Sequence, residues 1–111
     1  MDVYDQSFGG SATTPDARWN GIVTKEYGLN WLVRFAAEHH KRITIPEWGV
    51  SPGDTRNGSG DDPDYIRHMA DFFAAHDVVY QFYFDIDEPG HKYGLENFPQ
   101  SKAAYKAAFG K

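Results

Sequence analysis

The amino-acid sequence predicts an α/β fold made of three successive βα units. Short runs of β-branched and aromatic residues alternate with segments whose apolar residues recur at helical spacing. The connections are asymmetric, because long polar loops follow the strand-like runs whereas only two or three residues follow the helical segments. A helix between each pair of strands calls for right-handed crossovers and a parallel sheet.

The first unit begins with residues 2–5, which are typical of the end of a strand. A polar stretch rich in Gly, Ser and Thr follows over residues 6–20 and is predicted to be a long loop. Residues 25–40 form the first predicted helix, because apolar side chains share one face of it. These side chains are Leu29, Leu32, Val33 and Ala36.

The second unit begins with a short buried strand over residues 43–48. Pro46 has no N–H to donate, so it is expected to mark the end of that strand. After a second long loop, Asp62 is predicted to cap a helix with Pro63 at its first position. The apolar face of this helix carries Ile66, Met69, Ala70 and Phe73.

The third unit begins with residues 78–84, the strongest strand prediction in the chain. Alternation sends Tyr80, Phe82 and Phe84 to one face of this strand and Gln81 and Tyr83 to the other. A third long loop over residues 85–99 follows. Ser101 is then expected to cap a last helix, whose inner face carries Ala104, Tyr105 and Ala108.

Long loops on one side of each strand favour a partial (β/α)8 TIM barrel over other parallel arrangements. In such a barrel the loops after the strands gather at the face that holds the active site. A doubly wound open sheet stays possible, because it also binds ligands at the carboxyl ends of its strands. An eight-stranded barrel typically needs about 250 residues. Residues 1–111 are therefore expected to form either a C-terminal fragment of a barrel domain or a half-barrel completed by another copy.

Composition excludes several classes of function. The formal net charge is −5, which argues against a generally basic nucleic-acid-binding protein. No apolar run is long enough to span a membrane. The chain has no cysteine, and its five histidines lack the spacing of metal ligands. We therefore expect no metal and no cofactor, and neither a nucleic acid nor a membrane as partner.

Glu47 is the first candidate for chemistry, because it lies towards the end of a buried strand, where a barrel places its catalytic groups. A glycosidase needs a fixed carboxylate there, beside the anomeric carbon of the sugar. Tyr4 ends the preceding strand, and adjacent parallel strands would bring its hydroxyl near Glu47. A phenol that donates to a carboxylate keeps it ionised and orients it. The alternatives are that Glu47 caps a neighbouring loop and that Tyr4 is a packed aromatic residue.

Aromatic residues make up 16% of the chain, and they form either a dense core or a surface that stacks on sugars. Trp48 adjoins Glu47 and is the best candidate for a sugar contact. Trp19 falls in the first predicted loop, where it either stacks on a sugar or packs the loop. Trp31 falls within a helix and is expected to pack.

Four strings carry a resemblance to a known family. They are Asp-Val-Tyr-Asp-Gln, Gly-Leu-Asn-Trp-Leu, Ile-Thr-Ile-Pro-Glu-Trp-Gly-Val and Tyr-Gln-Phe-Tyr-Phe-Asp, in that order along the chain. The set resembles the last three βα units of a clan A glycoside hydrolase. It is most similar to the family 26 β-mannanase group, with family 5 as a neighbour.

The resemblance implies a retaining hydrolase that cleaves β-linked polysaccharide of the mannan or glucan class. Glu47 matches the nucleophile on strand seven, and Tyr4 matches the strand-six tyrosine that hydrogen-bonds it. The strand-four acid/base of the family has no counterpart here. The clan commonly places a Trp on strand eight as the floor of a sugar subsite, whereas this strand offers Phe82, Tyr83 and Phe84. We take Phe82 and Tyr83 as further candidates for substrate binding.

The resemblance also implies secretion, although the chain shows no signal peptide. Without an acid/base, the chain alone is expected to have negligible hydrolase activity. Its expected partners are an oligosaccharide or polysaccharide and the missing barrel half or a second copy of itself. The rival hypotheses are a half-barrel that associates with itself or binds carbohydrate without cleaving it, and an ordinary α/β domain.

Overall fold

The computed structural model describes residues 1–7, 14–54 and 57–110 of the chain. The principal strands are β1 (Asp2–Asp5), β2 (Ile43–Val50) and β3 (Val78–Tyr83). The helices are α1 (Pro15–Thr24), α2 (Leu29–Glu38), α3 (Pro63–Ala75) and α4 (Pro99–Phe109). Two short strands, β4 (Asp87–Glu88) and β5 (His91–Lys92), and a 3₁₀ turn (Leu95–Asn97) lie between β3 and α4.

The three principal strands form a parallel sheet in the order β1-β2-β3. The predicted α/β class, with helices between parallel strands, is thereby confirmed. Asp2 is the register partner of Glu47, and Tyr4 is the partner of Gly49. The first strand therefore runs alongside the second half of β2.

Two irregularities in the register decide which side chains share a face. The step from Ile43 to Ile45 on β2 lies opposite the longer step from Val78 to Gln81 on β3, so the extra residue belongs to β3. Further along, the step from Ile45 to Trp48 lies opposite the shorter step from Gln81 to Tyr83, so here the extra residue belongs to β2.

The second irregularity contains Pro46, which is exposed. The strand continues beyond Pro46 to Val50. The expectation that Pro46 ends the strand is wrong, because a bulge accommodates a residue that cannot donate to the ladder. The bulge also changes the alternation. Regular pairing would place Glu47 on the face of Ile43 and Ile45, whereas the extra residue turns Trp48 towards that face instead.

The helices cover one face of the sheet and build the hydrophobic core there. Ile45, Trp48 and Val50 are fully buried on this face, and α3 contributes Ile66 and Met69. The opposite face carries exposed side chains, with Phe82 at 62% exposure and Tyr80 at 45%. We call this second face, which bears Tyr4, Glu47, Tyr80 and Phe82, the open face.

Helix α1 occupies part of the segment that was expected to be a loop over residues 6–20. Thr14 caps it by accepting a hydrogen bond from the backbone N–H of Ala17, and Pro15 occupies the first turn. The expectation is wrong for residues 15–20, because the capping signal outweighs the polar composition. Residues 8–13 of that predicted loop lie outside the described ranges.

The other two long helices follow the predicted patterns closely. In α2, Leu29 and Ala36 are buried and Leu32 and Val33 pack against the core, although the helix is shorter than predicted at both ends. Asp62 caps α3, because its Oδ1 accepts hydrogen bonds from the backbone N–H groups of Asp64 and Tyr65. The predicted apolar face of α3 is confirmed for Ile66, Met69 and Phe73, and Tyr65 and Phe72 are buried as well.

The last helix begins earlier than predicted. Helix α4 starts at Pro99, so Ser101 lies inside its first turn rather than at the cap. The Ser101 hydroxyl donates to Asp61 and accepts from the backbone N–H of Asp62, which joins α4 to the start of α3. Ala104 is buried as predicted, but Ala108 is exposed and Phe109 packs on the core instead.

Candidate active site

Tyr4 and Glu47 meet on the open face of the sheet. The Tyr4 hydroxyl donates a hydrogen bond to Oε1 of Glu47 across the β1–β2 pair. The predicted proximity of the two side chains is confirmed. Both are partly buried, which leaves them accessible from the open face.

The phenol of Tyr4 is held in its protonated form by its surroundings. Burial raises the pKa of Tyr4 well above its ordinary value, and the hydrogen bond and the charge of Glu47 raise it further. A protonated phenol is a donor, so Glu47 receives a steady hydrogen bond on one oxygen. The other oxygen of the carboxylate is not held by Tyr4.

Two further aromatic rings surround Tyr4. Phe84 lies edge-on to it with ring centroids 6.1 Å apart, and Tyr93 lies edge-on at 5.9 Å. Phe84 and Tyr93 also contact each other at 5.4 Å. Sequence analysis placed Phe84 on the face of Phe82 but missed Tyr93, because Tyr93 follows a hairpin within the segment expected to be a loop.

Trp48 does not belong to this site. It is fully buried on the helix side, packed against Tyr83 and four other aromatic rings, and its indole N–H donates to Gln81. The other four rings are Tyr65, Phe73, Tyr105 and Phe109. The expectation that Trp48 contacts sugar is therefore wrong, because the bulge at Pro46 turns Trp48 into the core.

The two candidates on β3 lie on opposite faces, as alternation predicts. Tyr83 packs on Trp48 and Tyr105, and its hydroxyl accepts a hydrogen bond from the backbone N–H of Val50 at 3.2 Å. Tyr83 therefore serves the core, and its proposed contact with substrate is wrong. Phe82 lies on the open face and is exposed, so it stays available to a ligand.

Trp19 lies on α1, where its ring stacks on His68 of α3 with centroids 4.7 Å apart. The expectation that Trp19 lies in a loop is wrong, and its ring packs two helices together, whereas a contact of Trp19 with a sugar stays a prediction. Trp31 lies within α2 as expected and stacks on Phe35 at 4.9 Å.

A buried ionic cluster supports the strand ends behind Tyr4. Arg18 of α1 donates through Nε to Asp5 at 3.0 Å and through a terminal nitrogen to Asp62 at 2.9 Å. All three side chains are buried. Burial raises the pKa of Asp5 to about 7, helped by the neighbouring carboxylate of Asp62, whereas Arg18 opposes the rise. The cluster joins the end of β1 to α1 and α3.

The carboxylates of Asp85 and Asp87, which follow β3, accept hydrogen bonds from backbone N–H groups of the same segment. Oδ1 of Asp85 accepts from the backbone N–H of Leu95 at 2.7 Å, and Oδ1 of Asp87 accepts from Gly94 at 3.0 Å.

In the described part of the chain, no group of three or more acidic or histidine side chains converges as it would to hold a metal ion. Among these same residues, no helix is both long and apolar enough to cross a bilayer.

Comparison of the chain with protein-family models, with curated proteins and with solved structures gives no match. The class that the structure defines is thus a mixed α/β protein with a three-stranded parallel sheet, helices on one face and a tyrosine–glutamate pair on the other. The resemblance to clan A glycoside hydrolases rests on the residues quoted for it.

Proposed function

We propose that this chain carries the nucleophile of a retaining glycoside hydrolase that acts on a β-linked polysaccharide of the mannan or glucan class. In this proposal β1, β2 and β3 are strands six, seven and eight of a (β/α)8 barrel, and the open face is part of the inner wall of that barrel. Glu47 is the nucleophile and Tyr4 orients it.

The observation that carries the proposal is the hydrogen bond from the Tyr4 hydroxyl to Glu47 on the open face. Glu47 receives this hydrogen bond from a neutral phenol, beside a face of the sheet whose exposed side chains a ligand can reach. A phenol donor orients the carboxylate without neutralising its charge. That combination suits attack on an anomeric carbon.

In the proposed reaction, one carboxylate oxygen of Glu47 attacks the anomeric carbon, and the bond from that carbon to the leaving oxygen breaks. The product is a glycosyl ester of Glu47, which water then hydrolyses. The departing sugar hydroxyl needs a proton from a second carboxyl about 5–5.5 Å from the nucleophile. The resembled family places that acid on strand four, which has no match among β1 to β3.

An activated fluoroglycoside tests the proposal without that acid. A dinitrophenyl leaving group departs unprotonated, and a fluorine beside the anomeric carbon slows hydrolysis of the ester, so the intermediate accumulates. We expect the chain to gain the mass of one fluorosugar and peptide mapping to place the ester on Glu47. Probes built on mannose and on glucose together identify the sugar.

Two variants make the trapping result specific. Glu47→Gln removes the nucleophile and should abolish the adduct, whereas Glu38→Gln changes an exposed glutamate at the end of α2 and should leave the adduct unchanged. An adduct on another residue, or no adduct on a folded chain with either probe, would contradict the proposal.

The exposed apolar residues of the open face favour a second candidate, a half-barrel that associates with itself or binds carbohydrate without cleaving it. On β3, Phe82 is 62% exposed and Tyr80 is 45% exposed. Exposed apolar patches mark interaction surfaces. Saturable binding of a mannan or glucan oligosaccharide that survives Glu47→Gln, with no adduct from either probe, would favour this candidate over catalysis.

A further inference from the structure

We propose that Tyr93 is a positioning residue for Glu47 and acts by holding the ring of Tyr4 in place. The catalytic meaning of this inference rests on the proposed function. Its structural content is independent, because it concerns the Tyr4–Glu47 hydrogen bond and can be measured without a substrate.

The first support is a triangle of aromatic contacts. Tyr4, Phe84 and Tyr93 contact one another pairwise, and each pair is edge-to-face, with interplanar angles of 78°, 62° and 81°. Edge-to-face contacts have a preferred geometry, because the positive edge of one ring meets the negative face of another. The ring of Tyr4 is therefore restrained by two neighbours rather than by its hydroxyl alone.

The second support is the anchoring of Tyr93 itself. Tyr93 directly follows the β4–β5 hairpin, in which Asp87 pairs with Lys92 and Glu88 with His91. Immediately after Tyr93, the backbone N–H of Gly94 donates to Asp87. The side chain of Asn97 donates to the same oxygen of Asp87 at 3.0 Å. These bonds close the hairpin onto the turn and fix the backbone on both sides of Tyr93.

Gly94 shows how tightly this closure is built. A Cβ atom on Gly94 would lie 2.9 Å from Oδ1 of Asp87, so the carboxylate would have to shift to admit it. Any larger residue would push the carboxylate away from the N–H that it accepts. We call Asp87, Gly94 and Asn97 the clamp. Its hydrogen bonds hold Tyr93 against Tyr4.

Tyr93 also affects Tyr4 electrostatically. The pKa of Tyr4 is raised first by burial and by Glu47, and then by its proximity to Tyr93. Removing the ring of Tyr93 would open Tyr4 to solvent and let its ring turn away from Glu47. Both changes lower the pKa of Tyr4 towards the ordinary tyrosine value of about 10.

The test follows isotope-labelled Tyr4 by NMR at neutral pH, with its signals assigned through Tyr4→Phe. The Cζ chemical shift reports the hydrogen bond of the phenol, and the line shape of the ring signals reports how fast the ring flips. We expect Tyr93→Ala to move the Cζ shift towards that of free tyrosine and to speed ring flipping, whereas Tyr93→Phe, which keeps the ring, should leave both close to those of the unmodified chain. Tyr80→Ala is the matched control, because Tyr80 lies on the open face and contacts Phe82. A purely structural role would change the free energy of unfolding without moving these signals.

The clamp offers a second, independent pair of variants. Asp87→Ala removes the acceptor for Gly94 and Asn97, whereas Asp87→Asn keeps an oxygen in the same place. We expect Asp87→Ala to shift the Tyr4 Cζ signal and speed flipping of the Tyr4 ring, and Asp87→Asn to leave both nearly unchanged. Unchanged Tyr4 signals in both Tyr93→Ala and Asp87→Ala would overturn the inference.

Fluoroglycoside trapping separates this inference from the proposed function. We expect Tyr93→Ala to slow ester formation on Glu47 by about tenfold, because small displacements of a reacting group are costly. If the unmodified chain forms no ester but the Tyr4 NMR signals shift as expected in Tyr93→Ala, the proposed function fails and the positioning role stands. If Tyr93→Ala forms the ester at the unmodified rate, the positioning role fails alone.

Discussion

The Tyr4 hydroxyl hydrogen-bonds Glu47 although the register partner of Tyr4 is Gly49, two residues further along β2. The tyrosine side chain thus reaches back along the neighbouring strand to the carboxylate. The contact depends on the bulge at Pro46, which turns Trp48 into the core and leaves Glu47 on the open face. One irregularity in β2 therefore determines both the core and the candidate site.

Removal of the Tyr4 hydroxyl should impair the candidate nucleophile. In Tyr4→Phe the carboxylate of Glu47 loses its donor and its fixed orientation, while the ring contacts with Phe84 and Tyr93 are kept. We expect fluoroglycoside trapping on Glu47 to slow by about ten- to a hundredfold. Time-resolved mass spectrometry measures the rate, and Tyr27→Phe, an exposed tyrosine between α1 and α2, is the control. A trapping rate equal to that of the unmodified chain would show that Tyr4 does not orient Glu47.

The cluster of Asp5, Arg18 and Asp62 predicts a stability that falls as the pH rises through neutrality. Burial, assisted by Asp62, raises the pKa of folded Asp5 to about 7, above its value in the unfolded chain. A raised pKa means that the stabilising contribution is complete below the unfolded pKa and is lost as the pH rises through the folded pKa. Asp62 behaves in the opposite sense, because its pKa is lowered in the folded chain by hydrogen bonds.

Asp5→Asn isolates this effect, since the amide resembles the protonated carboxyl and does not titrate. Between about pH 5 and pH 8 we expect the melting temperature of the unmodified chain to fall by several degrees relative to that of Asp5→Asn. Asp77→Asn, in an exposed ion pair with Arg42, is the control and should follow the unmodified chain. Parallel profiles for Asp5→Asn and the unmodified chain would mean that Asp5 is ionised throughout this range.

Trp48 should behave as a core residue. Trp48→Ala removes a fully buried indole from among five rings, and we expect a loss of about 3–5 kcal/mol in the free energy of unfolding. Trp31→Ala, on a partly exposed position of α2, should cost less. Urea denaturation measures both. A Trp48→Ala chain as stable as Trp31→Ala would contradict the core position of Trp48 and restore the hypothesis that it contacts a ligand.

The open face should make the chain associate. Phe82 is exposed by 62% among other apolar side chains, so placing a charge there should disfavour burial of this face against another surface. Sedimentation velocity measures how far the average mass rises with protein concentration. We expect Phe82→Lys to reduce that rise without lowering the free energy of unfolding. Phe35→Lys, at an exposed position of α2, is the control. An unmodified chain that stays monomeric at every concentration would contradict this expectation.

The sequence predicts much of the fold because its local signals agree with the packing. The capping of α3 by Asp62 and the buried faces of α2 and α3 follow from apolar spacing and cap chemistry. Helix α1 was missed because its apolar face is weak, although Thr14 and Pro15 carry a readable start signal. The β4–β5 hairpin was missed because its two-residue strands show no periodicity.

The candidate site was only partly predictable. Tyr4 and Glu47 are paired by the order of adjacent strands, which the sequence reveals. The side of the sheet to which Trp48 points depends on a bulge, because a shift of one residue moves every following side chain of the strand to the other face. Tyr93 reaches the site through the tertiary closure of Asp87 onto Gly94, a contact between side chain and backbone that no local pattern encodes.

The most direct test of Glu47 as the nucleophile is azide rescue of Glu47→Ala with an activated dinitrophenyl β-glycoside. Azide can occupy the space left by the carboxylate and attack the anomeric carbon, so we expect azide to restore release of dinitrophenolate and to give the α-glycosyl azide. Azide-independent release, or a product with the β configuration, would contradict the assignment of Glu47 as the nucleophile.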